Sequence, residues 1–551
     1  MNRTAPIRQA DERGENTRTH DVDWVIVGSG FGGSVPALRL AEKGYDVLVL
    51  EQGRRFEDAD FAGTARDVRR LLWAPRLGLK GIMAITPFKH VSVISGVGGG
   101  GGSLVYGNTL YVATADEFYR HEQWAGLADW RTVLAPHYAT AQQMLGVTTY
   151  VGDGPSEAMM HKIAAELGVP DSIHTTQVGV FLGMPGRKVP DPYFGGEGPD
   201  RTGCIRCGQC MLGCRYGAKN TLVKNYLHLA QRIGARVEAE RKVVDIRPLG
   251  AADGSDGYAV TTLRSGRWFR RDRRTVKARG VIVAAGALGT TRLLRSLKDA
   301  GALPRLSGRI GDLVRTNSEA VVAATARESD VDWTTDIAIT TSVHPDGHTH
   351  FTNNTYGAGG DLLGLIFGPM TGGAGRRRQL LRAALVHPRL WLSPRRLKGW
   401  SKRTVLFTVM QSLDSSLRLR PSRLTKRLNT EIADGTPPAS DLPIANRVAT
   451  LAAQIMGGDP QSSVVESVMG TSTTAHILGG AVIGASPEHG VVDRYRRAFG
   501  YENLLVTDGS TMPANVGVNP SLTITALAEE AMTHIPANQR ASAVPAPSPQ
   551  T

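Results

Sequence analysis

Apolar residues along this chain come in short bursts divided by glycine-rich turns. Trp24 to Val27 is one such burst and predicts a buried strand. It runs directly into Gly28-Ser29-Gly30-Phe31-Gly32-Gly33. Ser34 to Lys43 then follows helical spacing, Gly44 ends the helix, and Asp46 to Leu50 predicts a second strand closing on Glu51. Further along, Val281 to Gly289 reads as a buried strand turning into a helix over Thr290 to Lys298. Late in the chain, Asn503 to Gly509 is another apolar strand ending in Asp-Gly, and Leu522 to Met532 predicts the helix behind it. No apolar run reaches the roughly 18 residues of a membrane-spanning helix, so none is expected.

The first burst carries chemistry. Strand, G-x-G-x-x-G, helix, strand and acid occur in the order of a dinucleotide-binding βαβ unit. Gly28 allows the tight turn, Gly30 lets backbone approach a pyrophosphate at the helix N-terminus, and Gly33 allows close helix–strand packing. Glu51 is placed to accept from ribose hydroxyls. The motif alone does not separate FAD from NAD. A second glycine run, Gly98 to Gly102, leads into Ser103-Leu104-Val105-Tyr106-Gly107-Asn108. Five glycines in a row cannot form the centre of a helix or strand and point to backbone lying against a flat ligand. Because nucleotide-type segments occur early, in the middle and late, one nucleotide domain is expected to be assembled from separated pieces.

These segments together resemble the glucose–methanol–choline (GMC) flavoprotein oxidoreductases, in their cholesterol-oxidase-like branch. Gly28 to Glu51 is similar to the family's N-terminal FAD motif, Gly98 to Asn108 to its flavin-contacting loop, and Val281 to Leu294 to its strand–helix element. His476-Ile477-Leu478-Gly479-Gly480 resembles an H-x-L-G-G element, and Gly500 to Leu527 resembles the C-terminal signature. The resemblance covers roughly Asp23 to Met532. It implies an α/β fold in which a Rossmann-like FAD domain is interleaved with a substrate domain built on a mostly antiparallel six-stranded sheet. The expected division is 21–115, 223–320 and 466–537 for FAD, and 116–222 with 321–465 for substrate. Residues 1–20 and 538–551 are expected to be a disordered arm and tail.

The resemblance also implies oxidation of a sterol (3β-hydroxysteroid or cholesterol-like) or other hydrophobic alcohol, by hydride transfer to non-covalent FAD. Oxygen or another acceptor would take the electrons. The implied FAD contacts are Gly28, Gly30, Phe31, Gly32, Gly33 and Glu51; Gly98, Gly102, Ser103 and Asn108; the backbone of Val243; Gly286; and Asp508, Gly509, Asn519 and Pro520. His476 and Asn519 are the implied catalytic pair. An imidazole suits removal of the hydroxyl proton that must accompany hydride loss, and an amide can position the hydroxyl without titrating. The family's steroid oxidases use a pocket Glu to shift a ring double bond. In the corresponding stretch, Trp400 to Gln411, no acid stands, which argues against an isomerase step. Glu319 is a substitute candidate, with a structural carboxylate the favoured reading.

Charge and cysteine change the picture last. Net charge is +14, and ten cations with no acid fall within 371–403, interleaved with Leu380, Leu381, Leu385, Leu390, Trp391, Leu392, Leu397 and Trp400. The segment reads as a lid over an apolar pocket or as a membrane-surface contact. No recognition motif accompanies the charge, so nucleic acid is not an expected partner. The polar stretch Met1 to Asp21 lacks a signal-type apolar core, so the expected location is cytoplasmic, peripheral to a membrane if the insert touches one. All four cysteines lie in Cys204-x2-Cys207-x2-Cys210-x3-Cys214. That is the spacing of an iron–sulfur run, with a four-thiolate zinc site or free structural thiols as the other readings. With a cluster, a membrane-docked electron-transfer flavoprotein is the alternative function.

Overall fold

A computed structural model describes residues 19–266, 272–373, 375–386, 397–422, 428–433, 439 and 441–539. The expected arm and tail lie almost wholly outside these residues, as do Arg389, Leu390, Trp391, Leu392, Arg395 and Arg396 of the basic insert.

The burst before the first glycines forms the strand Val22–Val27, the helix is Phe31–Glu42, and Val47–Leu50 is the second strand. All three lie within a few residues of their expected bounds. Val22–Val27 pairs in parallel with Val47–Leu50 on one side and with Arg274–Val283 on the other. Arg236–Glu238 extends the parallel edge beyond Val47–Leu50. Arg274–Val283 is the organising strand. Its first half pairs antiparallel with Tyr258–Arg264, which pairs in turn with Arg241–Pro248. Its second half, Val281 to Val283, lies parallel to Leu504–Val506. Residues far apart in the chain thus close a seven-stranded sheet. The strands are near-continuous Val, Ile and Leu because helices cover them, as parallel sheets require. Phe31–Glu42 packs on the late helix Ser521–Thr533, which in turn packs on Trp130–Met144.

The second sheet is antiparallel throughout. Its order is Phe367–Pro369, Gly458–Ser463, Ala320–Ala326, Thr404–Gln411, Thr349–Asn354, Thr341–Val343 and Ile173–Thr175. It has seven strands rather than the expected six. Sequence alternation divides its two faces. Val322, Ala324, Val343, Phe351, Val405, Phe407 and Val409 bury one face against the helices Pro155–Glu166 and Pro443–Met456. The other face carries Val321, Ala323, Ser342, His350, Thr352, Thr408 and Met410, as the pairing registers place them. Among the described residues, no helix is long and apolar enough to cross a membrane.

Phe407 is fully buried at the centre of the helix-covered face. Phe407→Ala should lower stability by about 3–5 kcal/mol through lost burial and the cavity left behind. A fall in the thermal midpoint of the purified protein checks this.

Candidate active site

The glycine motif forms a turn in which side chains are sterically excluded. Gly28 has φ +102°. A Cβ on Gly33 would lie 2.1 Å from the Gly28 carbonyl oxygen, and one on Gly32 would lie 2.5 Å from the carbonyl oxygen of Thr507. The helix Phe31–Glu42 therefore touches both its own strand and the late segment that carries Asp508. A Cβ on Gly30, by contrast, would meet only the Cα of Gly101 at 3.9 Å. That leaves a backbone surface between the first motif and the second glycine run, whose residues Gly101–Leu104 form a 3-10 turn.

Glu51 ends the second strand at 5% exposure. One carboxylate oxygen accepts from the Ser29 amide at 3.2 Å and the Ser29 hydroxyl at 2.7 Å; the other accepts from the Gly53 amide at 2.7 Å. Burial pushes its pKa up, and these donors pull the other way. Glu51 thus clamps the glycine turn. The Arg241 amide donates to the Glu51 carbonyl at 2.7 Å, which sets Val243 two residues from this corner. Asp508 plays the matching part on the other side. Its Oδ2 accepts from the Gly286 amide at 2.8 Å and the Thr290 hydroxyl at 2.5 Å, and its Oδ1 accepts from the Ser510 amide at 2.9 Å. It joins the strand–helix element at 281–294 to the C-terminal signature, and burial pushes its carboxyl up as well. Gly509 opens the turn Gly509–Thr511, and its carbonyl accepts from the Gly479 amide at 2.9 Å. Ser103 is internally satisfied, donating to the Gly100 carbonyl at 2.7 Å and accepting from the Leu222 amide at 3.1 Å. Asn108 is not. It is fully buried at φ +71°, and neither its oxygen nor its nitrogen has a partner among the described residues. A buried amide left unpaired costs about 1–3 kcal/mol per group, so both its groups are open to a further partner.

The two expected catalytic side chains come together across the fold. Asn519, just ahead of the helix Ser521–Thr533, places its Nδ2 3.1 Å from Nε2 of His476. Its Oδ1 is buried and without a partner among the described residues. Nδ1 of His476 lies 2.5 Å from Oε1 of Glu319. Glu319 is 2% exposed and also accepts from the Thr474 hydroxyl and the Ala475 amide, both at 3.0 Å. With the proton on Nδ1 donated to this carboxylate, Nε2 is left as the accepting nitrogen. Sequence reasoning took Glu319 for a structural carboxylate or a substitute acid; the fold sets it against the imidazole instead. Its position follows Asn317 (φ +59°) and Ser318 (φ +45°), two non-glycine residues in the left-handed region. Asn317 in turn accepts from the Gly517 amide and donates to the Val518 carbonyl, both at 3.1 Å. A single turn therefore holds both the histidine and the loop leading to Asn519. No motif around Glu319 signalled this, because the partners are more than 150 residues apart.

Among the described residues, no group of three or more His, Cys, Asp or Glu side chains is arranged to hold a metal ion. All four thiols line one small pocket with Ile337 and Lys219. Burial pushes the Cys204 thiol up to about 12 and that of Cys210 up to about 11. Nothing in this arrangement supports the expected iron–sulfur cluster. Lys219, which sequence reasoning passed over, is fully buried. Its ammonium donates to the Leu104 carbonyl at 3.0 Å and the Cys210 carbonyl at 2.8 Å, tying the cysteine loop to the glycine turn.

The glycine turn, the two buried acidic clamps and the His–Asn pair are features of a Rossmann-type, nucleotide-dependent oxidoreductase. A sequence profile for NAD(P)-binding Rossmann-like domains matches residues 26–57, and profiles of the GMC oxidoreductases match 198–298 and 445–528. The chain is 48% identical over 533 residues to a cholesterol oxidase of Mycobacterium tuberculosis, covering 93% of this chain and 90% of that protein. It is 44% identical over 531 residues to a cholesterol oxidase of Acinetobacter baumannii, covering 94% and 95%. Among solved structures, a pyridoxine 4-oxidase from Mesorbium loti superposes with a TM-score of 0.57 at 15% identity, over 93% of this chain and 99% of that one. A fungal aryl-alcohol oxidase gives 0.56 at 15% identity, over 93% and 98%, and both share the fold. The chain belongs to the GMC oxidoreductases and binds FAD.

Gly32→Ala should cut FAD retention roughly tenfold or more, because the new methyl meets backbone on the Thr507–Asp508 segment and must displace it. The ratio of flavin to protein absorbance after purification measures this.

Proposed function

We propose that the chain oxidises the 3β-hydroxyl of a cholesterol-like sterol, or a similarly hydrophobic alcohol, to the ketone, with oxygen as the final electron acceptor. The observation that carries this reading is the Glu319–His476–Asn519 constellation in a chain with cholesterol oxidases among its relatives. Bound FAD supplies the acceptor for the hydride of the carbinol carbon. His476 Nε2 accepts the hydroxyl proton, so that positive charge does not build on the forming carbonyl. Glu319 is a positioning residue. It fixes the tautomer and steadies the imidazolium formed by proton transfer. Asn519 orients the hydroxyl through its amide, its unpaired Oδ1 being free to accept.

In this reading the backbone of Gly28, Gly30, Phe31, Gly32 and Gly33 would hold FAD, with Glu51 serving the ribose and the backbone of Val243 the adenine. Gly98, Gly102, Ser103 and Asn108 would serve the flavin, with Gly286, Asp508, Gly509, Asn519 and Pro520 contributing from the later segments. In the same reading 21–115, 223–320 and 466–537 would hold FAD, and 116–222 with 321–465 would form the substrate side. The acid missing between Trp400 and Gln411 argues against a coupled isomerisation.

The basic insert is read as a lipid-surface contact that brings the enzyme to a membrane-dissolved alcohol. Its helix Arg376–Val386 buries Leu380 but leaves Leu381, Leu385 and Val386 exposed at 64%, 80% and 59%, beside Arg377, Arg378 and Arg382. Apolar side chains among cations suit an anionic lipid surface.

Anaerobic addition of cholesterol to the flavin-loaded protein should bleach the flavin absorbance; no bleaching with any sterol or long-chain alcohol would overturn the substrate class. His476→Ala should lower kcat by about 10²–10⁴-fold, with FAD content retained. Glu319→Gln should lower it at least about tenfold through the misplaced tautomer. Co-sedimentation should show binding to vesicles containing phosphatidylserine, weakened by salt and by Leu381→Ser with Leu385→Ser, and little binding to neutral vesicles.

A further inference from the structure

A strip of imidazoles runs inward on the second sheet. His174 is exposed in the edge strand Ile173–Thr175, His344 is half-buried just past Thr341–Val343, and His350 is 2% exposed within Thr349–Asn354. The His174 and His344 rings lie 5.7 Å apart, centre to centre, and tilted at 59°. Those of His344 and His350 are stacked at 4.5 Å and 18°. Tyr111 closes the inner end with its ring edge-on to His350 at 5.3 Å. Strand register explains the alignment. Ser342 pairs with both His174 and Thr352, so His174, His344 and His350 fall on the face away from the helix-covered core.

The inner end of the strip reaches the active site. His350 pairs with Met410, whose sulfur accepts from the Asn317 amide at 3.3 Å. The same amide nitrogen donates to the Val518 carbonyl at 3.1 Å, one residue before Asn519. His350 and His476 are close enough that charge on the second disfavours charge on the first. Both ring nitrogens of His350 are buried and have no hydrogen-bond partner among the described residues. Leaving two such groups unpaired costs about 1–3 kcal/mol each. Water is the partner that fits, since a neutral imidazole donates at one nitrogen and accepts at the other.

We propose that His350, His344 and His174, with bridging water, form a proton path between His476 and solvent. The proposal rests on His476 as acceptor of the alcohol proton. That proton passes from His476 Nε2 to a water, which gives one of its protons to the accepting nitrogen of His350. The other His350 nitrogen releases its proton outward, and His344 and His174 repeat the exchange through further water. No electrons move along the path, each imidazole ends neutral with its tautomer reversed, and one proton enters solvent for each alcohol oxidised; the path runs in reverse to return that proton when oxygen is reduced to hydrogen peroxide. Burial, with the neighbouring imidazoles, holds His350 well below its ordinary value and brings His344 to about 4, so both are neutral near pH 7. The titratable groups facing His350 are His344, His476, His174 and Tyr111.

The test is water-to-imidazole saturation transfer in the flavin-loaded, 15N-histidine-labelled protein without substrate, at a pH where the 15N shifts show the His476 imidazolium, read at its Nε2–H. His350→Phe should slow this exchange roughly tenfold or more. His344→Leu, which leaves the buried end of the strip intact, should slow it as well. Exchange at the wild-type rate in both variants overturns the path. Because no alcohol is present, this outcome is independent of sterol turnover, which flavin bleaching in the same samples reports separately.

Discussion

The site depends on one buried turn, Thr316 to Glu319. Two of its residues take left-handed backbone conformations without being glycine, a cost of order 1–3 kcal/mol each that surrounding hydrogen bonds must over-determine. The Asn317 amide supplies those bonds toward the 517–518 backbone, and Glu319 supplies them toward the 474–476 backbone and the imidazole. The turn also leads directly into Ala320–Ala326, an inner strand of the second sheet. It therefore joins that sheet to both segments that bring in His476 and Asn519. With the pairing of Ser472–Thr474 on Val91–Gly96, it sets the distance between two loops from the far end of the chain.

The same logic of distant segments held by buried polar clamps governs the cofactor side. Glu51 and Asp508 are acids whose burial works against ionisation, and each is compensated by three nearby donors. Each fastens a glycine-bearing turn that cannot hold itself by side-chain packing. The long strand Arg274–Val283 gives these clamps a common frame, since it pairs with early, middle and late strands at once. The cysteine loop takes part as packing. Lys219 binds it to the glycine turn, while its thiols sit among apolar residues such as Ile337.

What was legible in the sequence followed from local rules. Apolar bursts between glycines marked the strands Val22–Val27, Val47–Leu50 and Leu504–Val506, because strands buried under helices need no polar alternation. The glycine spacing marked the turn, because only glycine tolerates the backbone approaches seen at Gly32 and Gly33. Motif resemblance named His476 and Asn519, and the fold brings them to 3.1 Å. The strand count of the second sheet was not legible, because its edge strands Phe367–Pro369 and Ile173–Thr175 have three residues each, too few to carry a periodicity. The cysteine spacing suggested a cluster, yet spacing along a chain does not set where side chains point.

By itself the sequence determined the dinucleotide turn, the order of the nucleotide segments, the family and the His–Asn pair, because each is written within a few consecutive residues. Tertiary structure alone decided that Glu319 orients His476, that Asn317 holds the loop before Asn519, that Lys219 joins two loops, and that three histidines align across strands. Each of these is a contact between segments far apart in the chain. Their meeting is set by strand register and sheet order, and neither is encoded in any local pattern of residues.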